Sequence, residues 1–551
     1  MESAATATGR PEPVDRAGRT FLGLDRVELL CLLTLVMLAV APLLALATKG
    51  RDLSGADGFL ATDQMQYLAW IRESADHLLI GNPWDLATGE RRFFHPIFVI
   101  SGALNRLFGL SIPLSYLIWE PVAIGVTFAG ALAYVRRLLP AGGPRHAGLI
   151  LVLFAVMPAT ALVALTGWGG KPRQFTFDFI SGEMWTGQYL WGYLPTAIAV
   201  FLIPLVLLGL ERCREGGRQG VLALCFLGTL LVAWLQPWQG AELVLLIWAV
   251  ELWRWARRRE APSWVALAAV SVAGALPAIY YFWLSRVDSA WKLAQEANAA
   301  GAQDLWSWPW WAIVLAVAPL ALPAIAAYRG PARSWQDTAV RIWPLAILLV
   351  YLLPVGTFPY HSFQGLQIPL GILAVIGIRR IWPSIPLWAS VSALFVMVVP
   401  GTLHKADVFR NSVQSGGDPY FIFDGERELL KTLDRDPRAG AVLAPTYAAL
   451  LVPSRTGRET WVGPFSWTPD WERRAELSND LFEGRLSTAE ARRVVVESRA
   501  RWLFADCRPL ALDRLEAQIR PLLAGPRQRF GCARLYELKE RPEMASAVGA
   551  P

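Results

Sequence analysis

Leu29–Thr48, LLCLLTLVMLAVAPLLALAT, runs for twenty residues without a charge. A bilayer core of ~30 Å takes roughly twenty helical residues to cross, so this stretch reads as a membrane span. It is longer than the apolar region of a secretory signal and no small-residue cleavage site follows, which makes it a retained anchor. Similar uncharged stretches recur at 147–166, 190–210, 220–240, 261–285, 305–328, 342–360, 362–378 and 381–403. Two more, 112–135 and 241–253, are interrupted only by Glu120 and by Glu242 with Glu251, which brings the expected spans to eleven. The expected fold class is mainly α, a polytopic membrane protein.

Composition agrees. Hydrophobic residues make up 54% of the 551 and charged residues 18%, which excludes disorder, coiled coil and collagen. A net charge of +7 is small for this length and gives no reason to expect a nucleic-acid partner. The five cysteines form no CxxC pair and the five histidines lie far apart, so no zinc or redox motif is present.

Short cytoplasmic loops collect Lys and Arg, which tests the count of spans. Arg136, Arg137 and Arg145 share one loop, Arg212, Arg214 and Arg218 another, and Arg254, Arg257, Arg258 and Arg259 a third; Arg329 with Arg333 and Arg379 with Arg380 follow. Consecutive arginine loops must be separated by an even number of crossings. Eleven spans and a cytoplasmic N-terminal tail over 1–26 satisfy this, provided that 93–110, which contains Arg106, is an interfacial or re-entrant helix. The membrane domain then covers 27–403, with outer loops at 49–111, 167–189 and about 286–304, and the N-terminus of the chain faces the cytoplasm. Trp306, Trp308, Trp310 and Trp311 read as a belt at the headgroup layer, with a substrate platform as the alternative.

Residues 404–551 differ in kind and predict an extracytoplasmic α/β domain. Ala441–Ala444, Trp502–Ala505 and Arg534–Leu538 read as strands, and 469–484 and 487–498 as helices, the second opening on the capping-box spacing Ser487 to Glu490. Cys507 and Cys532 both fall here, as a disulfide or as two buried thiols.

Polar chemistry concentrates in the outer loops. In the first, Tyr67, Trp70 and Ile71 recur at helical spacing from Asp63, which is either an N-cap or a reactive carboxylate. In the second, Lys171, Arg173, Asp178 and Glu183 lie within thirteen residues, the cations facing either lipid headgroups or a specific phosphate. His361 and Gln364 occupy a tight turn between two late spans, where a lone histidine is either solvated or part of a site. Glu120, beside Pro121, is expected to bond to freed backbone or to another helix.

Asp63 four residues before Tyr67, then Phe93-Phe94-His95-Pro96 ahead of a short apolar helix, resembles polytopic glycosyltransferases of the GT-C superfamily. Gly365-Leu366-Gln367-Ile368-Pro369-Leu370 opening a late span extends the likeness. So do the strings Val452-Pro453-Ser454-Arg455-Thr456-Gly457-Arg458 and Trp461-Val462-Gly463 in the C-terminal region. The resemblance implies inverting transfer of a sugar from a polyprenyl-phosphate donor to a glycan, lipid or protein acceptor at the outer face of the membrane. It implies Asp63 as general base with Asp57 in reserve and Glu183 as the second acidic residue. Tyr67, Lys171, Arg173, Asp178, His95, His361 and Gln364 would bind substrate, with Lys171, Arg173 and His361 on the phosphate side. The paired acidic residues frequent in the family appear here as Asp63-Gln64, so no metal ligand set is assigned and a divalent cation is left open. Two other classes are compatible with a chain of this layout, a non-catalytic scaffold for envelope assembly and a lipid or solute transporter.

Overall fold

Capping decides where the first span begins. Asp25 accepts from the backbone N–H groups of Val27 and Glu28 at 2.9 Å each, and the Glu28 carboxylate accepts from the Asp25 N–H in return. The helix Arg26–Ala47 follows. Cys31, Leu35, Ala39 and Leu46 form its buried stripe, whereas Leu30 and Met37 on the other side are 61% and 59% exposed. Leucine and methionine on an outward face suit lipid, where the helix leaves no backbone group unpaired. The computed structural model of the chain describes residues 23–86, 90–216, 219–306, 310–353, 359–508 and 510–540. Arg218, Trp308, Phe358 and most of the N-terminal tail lie outside these described residues.

Each of the eleven stretches expected to span overlaps a helix or a bent helix pair. Among the described residues six helices are long and apolar enough to cross a membrane: Arg26–Ala47, Ile112–Leu138, Leu194–Arg214, Trp264–Val287, Trp310–Ala327 and Leu387–Ser415. A seventh crossing is made if Gly143–Phe154 and Pro158–Thr166, bent by 54°, act together; Pro158, at the start of the second helix, cannot donate to the ladder of the first. The chain is a multi-pass membrane protein. The remaining expected spans fall short for identifiable reasons. Gln219–Leu235 has 17 residues and Gln367–Ile381 has 15, below the ~20 that a crossing takes. Pro237–Arg258 and Trp335–Leu352 carry buried charges, among them Glu242, Glu251, Arg254 and Arg341.

The arginine loops gather at one end of the bundle. Arg136 pairs with Glu28 at 2.8 Å, Arg137 with Glu211 at 2.7 Å, Arg214 with Glu251 at 2.5 Å and Arg254 with Glu260 at 2.7 Å. Glu251, expected inside a span, is therefore a terminal ion-pair partner.

At the other end the loops fold into helices of their own. Ala61–Ser74 packs between Pro96–Phe108 and Thr446–Thr456. Gly102 permits that approach, since a Cβ there would stand 2.5 Å from the Ser74 carbonyl carbon. The second loop contains the helix Gly170–Glu183 and the third Ser289–Trp306. Leu387–Ser415 runs unbroken through the expected boundary at 404, so the change of composition there falls within a helix.

Beyond it, a four-stranded sheet runs in the order Val442–Leu443, Trp502–Ala505, Ala533–Glu537, Gln528–Phe530. The first pair is parallel, with Val442 opposite Trp502, and the others are antiparallel, with Leu503 opposite Tyr536. Ser487 and Glu490 form the capping box that their spacing announced. Cys507 and Cys532 are joined as a disulfide. Asp52–Leu53 of the first loop pairs antiparallel with Phe421–Ile422, which ties the loop to this region.

Candidate active site

Leu60 precedes the helix Ala61–Ser74 and contributes no side-chain cap. Asp63 lies in the first turn and does not cap it: its Oδ2 accepts from the Tyr193 hydroxyl at 2.6 Å. The neighbouring Gln64 organises the loop. Its Oε1 accepts from the Asp57 N–H at 2.9 Å and from the Gly58 N–H, and its Nε2 donates to Asp57 Oδ1 at 2.6 Å. Gly192, at φ +101°, makes room for this side chain, since a Cβ there would come within 2.8 Å of Gln64 Cδ.

Glu183 ends the second-loop helix and is 3% exposed. Gln364 Nε2 donates to its Oε2 at 2.8 Å, and His361 Nδ1 lies 3.1 Å from the same oxygen. The imidazole is further fixed by Trp238, whose ring meets it edge-on at 5.1 Å, while Gln239 Nε2 donates to the His361 carbonyl at 2.7 Å. Burial opposes a charge on His361, but the Glu183 carboxylate, by charge and hydrogen bond, and the charge of Asp63 outweigh it and raise the imidazole above its ordinary pKa. Burial raises the Asp63 carboxyl above the ordinary aspartate value, against the Tyr193 bond and the His361 charge, which pull it down.

Both groups face one cavity of about 1280 Å³. That exceeds the ~300–1,000 Å³ of ordinary small-molecule sites and leaves room for two substrates. Of the residues singled out from sequence, Asp63, Tyr67, Arg173, Asp178, Glu183, His361 and Gln364 line it. Arg173 lies over the rings of Trp168 at 4.2 Å and Trp311 at 5.3 Å. Trp311 therefore faces the cavity, while Trp310 is 75% exposed. Asn298, and Pro464 through Ser466 of the C-terminal region, complete the wall, with Ser466 Oγ donating to Asn298 Oδ1 at 3.0 Å.

Three expected residues are not brought here. Asp57, turned by Gln64, lines a different cavity. Lys171 is exposed and outside the lining. His95 is buried and stacked on Phe98 at 4.2 Å, and burial depresses its pKa to about 3, leaving a neutral ring. Glu120 also departs from expectation, making no hydrogen bond or ion pair among the described residues. Residues that the sequence did not mark include Tyr193, Gln188, Thr196, Gln236 and Trp238. Gln236 Nε2 donates to Thr196 Oγ1 at 2.5 Å, which holds the ends of two membrane helices together beneath the cavity.

Asp178 anchors the second-loop helix. Buried Lys405 donates to its carbonyl at 2.6 Å and lies 3.5 Å from its carboxylate, which His404 Nε2 also meets at 2.7 Å. Asp178→Asn removes the paired counter-charge of that ammonium, leaving only the more distant Glu183, and should lower stability by about 3–5 kcal/mol, read as a fall in the thermal midpoint in detergent. An unchanged midpoint would mean that the pair does not hold the helix.

Among the described residues no three His, Cys, Asp or Glu side chains converge as a metal-ligand set. The Glu183 oxygen nearest His361 is taken up by Gln364 and the imidazole, and Asp63 Oδ2 by Tyr193.

No protein-family model matches the sequence, and no curated protein does. Solved structures do. The oligosaccharyltransferase of Archaeoglobus fulgidus in its apo form superposes with a TM-score of 0.50 at 10% identity, over 87% of this chain and 69% of that one. The archaeal oligosaccharyltransferase AglB from Archaeoglobus fulgidus, in complex with an inhibitory peptide and a dolichol-phosphate, gives 0.49 at 9% identity, over 87% and 69%. ArnT from Cupriavidus metallidurans in the apo state gives 0.45 at 12% identity, over 94% and 99%. At such identities the likeness is one of fold. On the superposition with the apo oligosaccharyltransferase, this chain shares the fold of that protein.

Proposed function

We propose that the protein transfers a sugar from a polyprenyl-phosphate donor to an acceptor hydroxyl, with inversion at the anomeric carbon, on the outer face of a bacterial inner membrane. One observation carries this reading: Asp63 of the first loop shares a cavity with the His361–Glu183 pair and Arg173. The acceptor oxygen attacks the anomeric carbon and its proton passes to the Asp63 carboxylate. The bond from that carbon to the phosphate oxygen breaks, and the electron pair leaves with the polyprenyl phosphate. Arg173 and the His361 imidazolium receive the developing charge, while Glu183 and Gln364 hold the imidazole in place. Tyr193 orients Asp63. None of these steps requires a metal. The Pro464–Ser466 segment and Asn298 form the acceptor side, where a glycan, lipid or protein would enter, and the apolar wall toward Phe175 and Phe179 accommodates the polyprenyl chain.

The topology that accompanies the reading has eleven crossings, a cytoplasmic N-terminus, and the cavity and sheet domain outside. Impermeant thiol labelling of intact cells should reach a cysteine placed at 430 and miss one placed at 216. Labelling at 216 alone, or at both, contradicts it. The reaction itself is tested with purified protein in liposomes containing a radiolabelled polyprenyl-phosphate sugar. Consumption of the donor, dependent on an acceptor-bearing fraction, is the expected result; a donor that is bound and never consumed would favour the scaffold reading.

A further inference from the structure

A second cavity, of about 330 Å³, lies on the other side of the start of the helix Ala61–Ser74. Gln64 lines it, whereas its neighbour Asp63 lines the large one. Three charged groups face this space without an ion pair. Asp57 is bonded only through Gln64 and its own loop, and burial raises its carboxyl above the ordinary value. Glu120 is 8% exposed and has no hydrogen bond or ion pair among the described residues. Arg455 donates through Nη2 to the carbonyls of Leu53 and Ser54, so backbone fixes its position, and the Asp52 carboxylate favours its charge without a direct ion pair.

A carboxylate buried without a donor is costly, and a cation placed between Asp57 and Glu120 would favour the ionised form of both. An ammonium group supplies three donors and no acceptor. Part of the lining is apolar. Leu43 near the end of the first span and Leu114, 44% exposed, make its apolar wall, continuous with the surface that faces lipid. The level is that of the headgroups, because Ala47 ends one membrane helix here and Ile112 begins another.

We propose that this cavity is a binding site for a lipid with a phosphoethanolamine headgroup, its ammonium between Asp57 and Glu120, its phosphate against Arg455, and its acyl chains along Leu43 and Leu114. The occupant would brace Gln64, and through it the turn that carries Asp63. The site stands on its own residues and does not depend on the transferase reading.

The test is thermal unfolding of the full chain in detergent, titrated with short-chain phosphatidylethanolamine, phosphatidylcholine or phosphatidylglycerol. A ligand that binds only the folded state raises the midpoint as its concentration passes its dissociation constant. Phosphatidylethanolamine should raise it; phosphatidylcholine, whose quaternary ammonium has no N–H, and phosphatidylglycerol, which has no cation, should not. Glu120→Gln should weaken the effect at least tenfold in lipid concentration while leaving the lipid-free midpoint unchanged or higher, since Glu120 has no partner to lose. Asp57→Asn should act in the same direction. Equal effects of the three lipids, or an undiminished response to phosphatidylethanolamine in Glu120→Gln, would overturn the proposal.

Discussion

Asp63→Asn is expected to lower the turnover of sugar transfer by about 10²–10⁴-fold, the range that general-base catalysis contributes, with donor binding nearly unchanged. Asparagine keeps the size of the side chain and an oxygen that can accept from the Tyr193 hydroxyl, but it takes no proton at neutral pH. Stability supplies the control. Burial raises the folded-state pKa of Asp63, so its favourable contribution is fully present only below the unfolded value of ~3.9 and is lost as pH rises through the folded one. Above the folded-state value the ionised side chain therefore costs stability, and there the Asn variant should melt at the same temperature or higher. Thermal midpoints and single-turnover rates on the same preparation decide it. An active Asn variant would show that Asp63 does not take the proton. Asp57→Asn is a second control: it should turn over, because Asp57 faces the other cavity.

Glu183→Gln should have the next largest effect, and a diagnostic one. The carboxylate is the main influence that raises His361 against the burial that lowers it. In the wild type the imidazolium persists above ~6.5 and is lost as pH rises through its raised folded value. The reaction should therefore have an alkaline limb above the ordinary imidazole value, together with an acid limb, set by Asp63, above the ordinary aspartate range. Removing the Glu183 charge leaves burial dominant, so the alkaline limb should move down in pH and activity on the alkaline side should fall. The acid limb should stay. A profile merely scaled down, with both limbs in place, would mean that Glu183 acts only through folding.

The membrane helices were legible because uncharged runs are long and arginines punctuate them. The number of crossings was less so. An uncharged run marks an apolar helix, yet Gln219–Leu235 and Gln367–Ile381 are short, and Pro158 divides a third run into a bent pair. In the site, Asp63, Glu183 and His361 stood out as charged or titratable residues in loops held near a membrane, and the fold brings them to one cavity from distant parts of the chain. Tyr193, which holds Asp63, was hidden because an uncharged polar side chain does not interrupt an apolar run, and it fell inside an expected span. The sequence put Asp63 ahead of Asp57 as the base but did not show that the two would face different cavities. Only the side chain of Gln64, bonded back to residues 57 and 58, turns one carboxylate to each side of the helix. His95 and Lys171 failed for opposite reasons. The first is enclosed among aromatic rings that periodicity could not place around it, and the second sits beyond positive-φ glycines that leave it facing solvent while Arg173, two residues on, stacks over Trp168.

The central claim is that a lipid-linked phosphate sits opposite Asp63. The most direct measurement is an experimental structure of the Asp63→Asn protein with a polyprenyl-phosphate sugar bound. The account predicts the phosphate within hydrogen-bond distance of His361 and Arg173, with the anomeric carbon turned toward residue 63. A phosphate bound away from His361, or a sugar on the far side of the Ala61–Ser74 helix beside Asp57 and Glu120, would contradict it.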